Sequence, residues 1–226
     1  MFDAIAPRYD LLNHLLSAGI DRRWRRRMIA ALGLTGRETL IDVCTGTADV
    51  ALEAAPRDGH PGAARVLGVD FAGAMLVRGA GKVRAAGQDR RVLLVRGDAM
   101  RIPAPDGAAD AATVAFGVRN VERTEVACRE LARVLRPGGR LAILEFAIPQ
   151  VPGLAAAYRW YFRAVLPRIG RLISGHAGAY AYLPASVGAF PPPAEFAALL
   201  RAAGFTAVQA IPLSFGIVYL YTAERA

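Results

Sequence analysis

Short apolar runs alternate with helical segments through most of the chain. Five such runs lie at residues 40–44, 66–69, 92–95, 111–116 and 141–146. Turn residues bound each run, and the stretches between the runs carry apolar residues at helical spacing. This alternation predicts an α/β fold with a doubly wound, mostly parallel sheet and helices on both faces.

Both ends of the chain depart from this alternation. Apolar residues spaced by three and four predict a first helix near the start, and Asp21 is placed to cap a second helix that ends near Gly33. Close to the other end, the pattern predicts a helix over 193–203 and two strands, over 205–211 and 215–222. The two strands are close enough in sequence to pair antiparallel.

The composition indicates a folded and basic protein. Of the 226 residues, 54% are hydrophobic, which is too much apolar material for a disordered chain. The formal net charge is +9, from 28 lysines and arginines against 19 acidic residues, and Lys82 is the only lysine. So uniform an arginine bias is typical of GC-rich coding, and it is weak evidence for a nucleic-acid partner.

Cysteine usage and hydropathy exclude several classes of protein. Cys44 and Cys128 do not fall in a metal-type spacing, so we expect neither a disulfide framework nor a zinc site. The first residues lack the pattern of a signal peptide, and no apolar run reaches the roughly 18 residues that span a bilayer. We therefore expect a cytoplasmic protein whose membrane contact, if it has one, is peripheral.

The loop after the first apolar run contains the first candidate ligand-binding residues. Residues 42–49 read DVCTGTAD. Gly46 lets the backbone approach a ligand closely, and Thr47 offers a hydroxyl beside the N–H groups of the next helix. The loop lacks both the GxGxxG fingerprint of dinucleotide sites and the lysine of a P-loop. It therefore favours a different adenosyl ligand.

Acidic residues follow the next two runs. Asp70 ends the second run, where a carboxylate can accept hydrogen bonds from both ribose hydroxyls and would repel a 2′-phosphate. Asp98 follows the third run, where it could accept a bond from an adenine amino group while the Ala99 N–H donates to a ring nitrogen. Together the three loops describe S-adenosylmethionine, whose sulfonium cation needs no anion-binding loop. Each acidic residue taken alone could equally be a turn or cap residue.

Longer stretches resemble the menaquinone and ubiquinone C-methyltransferases. The resemblance rests on FDAIAPRYDLLNHLLSAGIDRRWRR at 2–26, DVCTGTAD, FGVRNVE at 116–122, RELARVLRPGGRLAILEF at 129–146, YFRAVLPRIGRLIS at 161–174, AYAYLPASVGAFP at 179–191 and FGIVYLY at 215–221. FGVRN, VLPRIG and AYAYLPASV are the most particular of these. Two positions depart from the family, since Ala48 replaces its usual glycine and Ala115 a common serine.

The resemblance implies a class I, Rossmann-like, S-adenosylmethionine-dependent methyltransferase with a seven-stranded sheet. Its substrate would be a polyprenylated quinol ring, and no metal is expected. By the resemblance, Thr47, Asp70, Asp98 and Ala99 are cofactor contacts, and Gly46 joins them from the loop pattern.

The expected organisation is one methyltransferase domain over residues 1–226. Its parts are an N-terminal helical cap (1–36), a cofactor-binding core (37–150), a helical substrate-lid insertion (151–193), and a final helix and strand pair (194–226).

Arg119 and Asn120 are the predicted catalytic residues, because they follow the fourth run on the rim where substrate and cofactor should meet. A quinol carbon becomes nucleophilic when the adjacent hydroxyl, with a pKa of about 10, loses its proton. We expect Arg119 to stabilise this phenolate and orient a water that acts as base, and Asn120 to donate to a ring oxygen. A salt bridge and a helix cap are the alternative roles. His176 and Tyr182 are weaker candidates for the base, and Glu145 either faces the pocket or pairs with an arginine.

We expect demethylmenaquinol to be the substrate, converted to menaquinol in menaquinone biosynthesis. One alternative is the corresponding C-methylation of a 2-polyprenyl-6-methoxy-1,4-benzoquinol in ubiquinone biosynthesis. More distant alternatives are an RNA-binding methyltransferase-like module, prompted by the charge, and a non-catalytic cofactor-binding protein.

Two basic and aromatic stretches have more than one interpretation. DRRWRRR at 21–27 and the basic, amphipathic pattern at 158–173 suit either an anionic membrane surface or ordinary helix faces. We expect a polyprenylated quinol as the partner, a peripheral position at the inner face of the cell membrane and no nucleic acid. A homodimer is left open.

Overall fold

The structure, a computed structural model, describes residues 19–57, 59–149, 151, 153, 160 and 185–226. Within these residues one sheet of seven strands carries helices on its faces. The predicted first helix and most of the predicted insertion lie outside the described residues.

The strands follow the order β3-β2-β1-β4-β5-β7-β6 across the sheet. The first five are parallel, and β7 runs antiparallel between β5 and β6. A mostly parallel, doubly wound sheet is therefore confirmed. The strands are β1 (Thr39–Val43), β2 (Arg65–Asp70), β3 (Val92–Arg96), β4 (Ala109–Ala115), β5 (Leu135–Phe146), β6 (Phe205–Leu213) and β7 (Val218–Arg225).

Two apolar cores lie on opposite faces of this sheet. Successive residues of a strand point to opposite faces, so Leu40 enters one core and Ile41 the other. Strands buried on both faces must be apolar along their whole length, which is why the runs were readable from the sequence. The first core includes residues of α1 (Asp21–Ala31), α2 (Asp49–Ala54) and α3 (Gly73–Ala85), and the second those of α4 (Thr124–Val134) and α5 (Pro193–Ala202).

Two predicted details at the helix and strand ends are wrong. Asp21 does not cap α1, because Ile20 holds the N-cap position without a side-chain bond and Asp21 lies in the first turn. There its carboxylate pairs with Arg25 at 2.7 Å. The last strand begins at Val218, not at Phe215, because Ser214–Gly216 forms a 3₁₀ turn.

The predicted turn before the fifth run is present as an excursion within β5. The pairing with β4 jumps from Ala109–Leu135 to Ala111–Arg140, so more residues of β5 than of β4 lie between the two pairs. Gly138 occupies this excursion with a φ of +72°, a conformation that glycine adopts without steric cost. The strand therefore starts well before the apolar run that begins at Leu141.

Candidate active site

The order of the strands places a crevice at one edge of the sheet. From β1 the chain runs outward to β2 and β3, and it then crosses back to β4 on the other side of β1. Ligands of such folds bind beyond the carboxyl ends of the strands at this point. The loops after β1 and β4 touch there. A Cβ added at Gly117 would lie 2.3 Å from the Cys44 Cβ, so only glycine permits this approach.

Every second residue of the loop after β1, from Cys44 to Ala48, has a backbone conformation in the left-handed region. Cys44, Gly46 and Ala48 have φ values of 57°, 56° and 67°. A non-glycine residue held there costs about 1–2 kcal/mol, so tertiary contacts must maintain the loop. Among the described residues, a Cβ built at Gly46 meets nothing within 4 Å at the position predicted to approach the cofactor.

Asp70 joins the first two loops. Its Oδ2 accepts a hydrogen bond from the Gly46 N–H at 2.7 Å, and its Oδ1 accepts one from the Ala72 N–H at 2.8 Å. The Asp70 carbonyl also accepts a bond from the Gly97 N–H at 3.0 Å, which brings in the loop after β3.

Asp98 and Ala99 lie in that third loop. The Asp98 Oδ1 accepts a bond from the Met100 N–H at 2.8 Å, as a turn residue does, and both Asp98 and Ala99 are half-buried. Within the described part of the chain, no acceptor is recorded for the Ala99 N–H. The structure thus brings Gly46, Asp70, Asp98 and Ala99 to one edge, while their contacts with a cofactor stay predictions.

Thr47 belongs to the same edge but is buried, with 2% of its surface exposed. Its hydroxyl accepts a hydrogen bond from the Lys82 Nζ at 3.1 Å. The predicted hydroxyl contact with the cofactor therefore competes with a contact inside the protein. A backbone contact from Thr47 needs no such exchange.

Acidic and basic side chains surround the Cys44 thiol in the crevice. Cys44 is a free cysteine between the loops, and the pKa of its thiol is raised by burial and, further, by the charges of Asp70, Asp42 and Glu145. Arg119 opposes this shift. Arg119 offsets the charge of Glu145 and the pKa of Asp42 is about 7, so the field at Cys44 is less negative than three full carboxylates would give.

Asp42 was not among the predicted site residues. It is 1% exposed, and its two oxygens accept bonds from the Thr45 hydroxyl at 2.5 Å and the Thr113 hydroxyl at 2.7 Å. Burial raises the pKa of Asp42 to about 7, against the lowering effect of these hydroxyls. The residue supports the loop from beneath through Thr45. The only sequence signal was a carboxyl inside an otherwise apolar run.

Phe71 was also missed. The residue follows Asp70 directly, and 71% of its surface is exposed. The Arg96 guanidinium lies over its ring, 5.6 Å from the centroid, and Arg96 Nε donates to the Phe71 carbonyl at 3.0 Å. An aromatic face beside the carboxylate that is expected to bind ribose would contact a planar base.

Arg119 forms a buried ion pair with Glu145. Its Nη1 donates to the Glu145 Oε1 at 2.6 Å and to the Phe116 carbonyl at 2.5 Å, and its Nε donates to the Ser186 hydroxyl at 3.3 Å. Glu145 is fully buried and also accepts a bond from the Phe146 N–H. Of the two roles considered for Glu145, the structure shows pairing with an arginine. No partner is recorded for the Arg119 Nη2 donors within the described residues.

An aromatic cluster borders this ion pair. The Phe116 and Phe146 rings lie 4.5 Å apart, and Trp24 approaches them at 6.1 and 6.3 Å. The Arg119 guanidinium lies 5.4 Å from the centroid of the Phe146 ring. Asn120 Nδ2 makes a long bond of 3.4 Å to the Phe116 carbonyl. The side of the crevice at β4 and β5 is therefore aromatic.

Other predicted features fall outside the site or outside the described residues. His176 and Tyr182 lie in the part of the chain that is not described. Ala115, which replaces a common family serine, is half-buried at the end of β4. No group of three or more potential metal ligands occurs among the residues described.

The fold matches that of S-adenosylmethionine-dependent methyltransferases. One such enzyme from Thermotoga maritima superimposes with a TM-score of 0.67 at 16% identity, covering 100% of this chain and 98% of its own. The demethylmenaquinone methyltransferase of Thermus thermophilus is 48% identical over 100% of both chains. The ubiquinone/menaquinone biosynthesis C-methyltransferase UbiE of Syntrophotalea carbinolica is 48% identical over 100% of this chain and 93% of its own.

The chain belongs to the ubiE/COQ5 methyltransferase family, whose model matches residues 1–225. It is thus an S-adenosylmethionine-dependent C-methyltransferase, as the motifs predicted.

Replacing Asp42 with asparagine should remove a pH dependence of stability. The folded state raises the carboxyl pKa from 3.8 to about 7, so it binds the proton more tightly than the unfolded chain does. The contribution of Asp42 to the free energy of unfolding therefore falls as pH rises from about 4 to about 7. Urea unfolding at about pH 5 and about pH 8 should show wild type losing stability relative to Asp42→Asn. Asp89→Asn, at an exposed residue, is the control. If the stability difference between wild type and Asp42→Asn is the same at both pH values, the expectation is contradicted.

Proposed function

We propose that this enzyme methylates a ring carbon of demethylmenaquinol, giving menaquinol. The convergence of the loops after β1, β2 and β3 on Asp70, together with the buried Arg119–Glu145 pair that follows β4, is the observation that carries the proposal. A similar protein of Deinococcus radiodurans, 44% identical over 100% of this chain, is also named demethylmenaquinone methyltransferase. Other relatives carry a name that covers both ubiquinone and menaquinone, so the benzoquinol is the alternative substrate.

The cofactor side of the crevice would bind and orient the methyl donor. S-adenosylmethionine supplies a methyl group carried on a sulfonium cation. Gly46 and Thr47 would hold its methionine end, Asp70 the ribose hydroxyls, and Asp98 with the Ala99 N–H the adenine. Phe71 would cover one face of the base. Fixing both partners in reacting geometry supplies much of the acceleration in such transfers.

Arg119 would activate the quinol from the opposite side. The Nη1 and Nε donors are held by Glu145, Phe116 and Ser186, which fixes the plane of the guanidinium. The Nη2 donors could then meet a quinol oxygen and favour its deprotonated form. Asn120 would donate to a second ring oxygen or orient a water that takes the proton. The aromatic cluster would pack against the ring and exclude water.

The substrate can be assigned by methyl transfer to competing acceptors. Purified protein is incubated with methyl-labelled S-adenosylmethionine and, separately, with reduced demethylmenaquinone, the polyprenyl benzoquinol and bulk RNA. We expect label in the naphthoquinol product. The oxidised quinone is the matched control and should accept none, because it has no hydroxyl to deprotonate. Label confined to the benzoquinol would support the ubiquinone alternative, and label in RNA alone would refute both.

Arg119→Lys should separate the catalytic role of Arg119 from its ion pair. Lysine keeps a charge for Glu145, whereas alanine would leave a buried carboxylate unpaired at a cost of about 3–5 kcal/mol. Lysine lacks the second set of donors, so kcat should fall by about tenfold or more while the KM for S-adenosylmethionine changes little. The exposed Arg123→Lys serves as the control. Unchanged turnover at saturating substrate would refute the catalytic role.

A peripheral membrane contact is the second part of the proposal. Ile20, Ile148 and Phe215 are exposed apolar residues, here called the apolar rim, and Phe215 is 82% exposed. Trp24 Nε1 donates to the Ser214 hydroxyl at 3.0 Å, and the Ala147 N–H donates to the Ile217 carbonyl at 3.0 Å. These bonds bring the neighbours of Ile20, Ile148 and Phe215 to one edge.

The exposed Arg22 and Arg23 follow Ile20. Arginines near an anionic bilayer contribute about 1 kcal/mol each. No helix in the described part of the chain is long and apolar enough to cross a membrane.

Vesicle binding tests the apolar rim. Phe215→Ser should weaken co-sedimentation with vesicles rich in anionic phospholipid, because an exposed aromatic ring no longer enters the interface. Val77→Ser, a change at an exposed apolar residue of α3, should have no effect. Added salt should weaken wild-type binding. Equal binding by both variants would contradict a role for the rim, and a dimer that Phe215→Ser dissociates would assign the rim to self-association.

A further inference from the structure

Lys82 lies against the loop that would bind the methyl donor. It is the only lysine in a chain with 28 lysines and arginines in all. From the last turns of α3, its Nζ donates to the Thr47 hydroxyl at 3.1 Å and forms an ion pair with Asp49. A single ammonium thus contacts the residues immediately before and after Ala48.

Ala48 is one of two non-glycine residues in this loop with a positive φ. It is fully buried and has a φ of 67° and a ψ of 22°, in the left-handed region. An L side chain is strained there, whereas glycine is not. Because Ala48 follows Gly46 and Thr47 directly, a change in its backbone would move the residues expected to meet the cofactor. Lys82 contacts the side chains of the residues on both sides of this strained residue.

The packing of α3 explains how a lysine reaches this position. A Cβ at Gly79 would lie 3.2 Å from the carbonyl carbon of Thr47 and 3.3 Å from the Ala48 Cβ, so the helix backbone lies directly behind the turn. Gly79 and Lys82 are three residues apart and therefore share a helix face. An ammonium is a compact group with three donors, which suits it to two acceptors flanking one residue.

The exposure of the ion pair indicates a local role. The side chains of Lys82 and Asp49 are 31% and 37% exposed. Ion pairs this accessible to water add little to the stability of the whole fold. Asp49 also lies 3.7 Å from Arg25, whose other contact is Asp21. These charges connect α1, α2 and α3 around the turn.

We propose that Lys82 is a positioning residue, which holds the left-handed turn at Ala48 and thereby keeps Gly46 and Thr47 in the conformation that binds the methyl donor. The inference rests on the proposed function of this loop. Lys82 acts through the loop and contacts no reacting atom.

A double-mutant cycle between Lys82 and Ala48 tests the proposal. The variants are Lys82→Met, Ala48→Gly and the pair, and the readout is calorimetric binding of S-adenosylhomocysteine, which requires no quinol. Lys82→Met should weaken binding by about tenfold, or about 1.4 kcal/mol. In the Ala48→Gly background the loss should shrink to less than about threefold, because glycine adopts the turn unaided. Lys82→Arg should restore part of the affinity, and the exposed Arg84→Met on the same helix should bind as wild type.

Two further measurements distinguish positioning from a general structural role. The melting temperature of Lys82→Met without ligand should stay within about 3 °C of wild type. In the methyl-transfer assay, the KM for S-adenosylmethionine should rise while kcat at saturation stays near the wild-type value. A large drop in melting temperature, or a rise in KM for the quinol instead, would overturn the proposal.

The two hypotheses fail in different ways. The role of Lys82 is refuted alone if wild type binds S-adenosylhomocysteine and Lys82→Met binds it equally well. It is also refuted alone if Lys82→Met loses as much affinity in the Ala48→Gly background as in the wild-type background. If wild type binds none, the proposed function of the loop is refuted, and the inference about Lys82 with it.

Discussion

A hydrogen bond of 2.7 Å runs from the Gly46 N–H to the Asp70 carboxylate and joins the loops after β1 and β2. The Asp70 carbonyl accepts the Gly97 N–H and so connects the loop after β3 as well. Loops at the carboxyl ends of parallel strands converge, and their backbone donors need acceptors. Asp70 satisfies this need, and its position at the end of a buried strand makes the three loops one surface.

Charge at this edge is divided between two sides of a single crevice. Asp42, Asp70 and Glu145 all act on the thiol of Cys44, whereas Arg119 opposes them from the loop after β4. Glu145 is bonded to Arg119, so the cation is held rather than free to turn toward the other carboxyl groups. Arg119 is therefore fixed where a substrate that gains negative charge is expected, and Asp70 lies where the methyl donor is expected.

Backbone strain is concentrated at the same edge. Six non-glycine residues of the described chain have positive φ, and Ala207 is the one that does not lie near the carboxyl ends of the strands. The others are Cys44, Ala48, Phe116, Ser214 and Phe215. Strained conformations persist where neighbouring contacts enforce them, and they cluster at functional sites. Here the enforcing contacts come from Lys82 on α3 and from Trp24 on α1.

The sequence alone determined the sheet, because buried parallel strands must be apolar throughout and each run is bounded by turns. It also located Gly46, Asp70 and Asp98, since each ends a strand or lies within three residues of the end of one, and local order suffices to place it. The tertiary structure decided which distant residues meet. Lys82 is 35 residues from Thr47, and Glu145 is 26 residues from Arg119. No local periodicity encodes such pairs, because they form only when helices and strands pack. For the same reason, only the fold revealed Asp42 as a buried carboxyl beneath the loop.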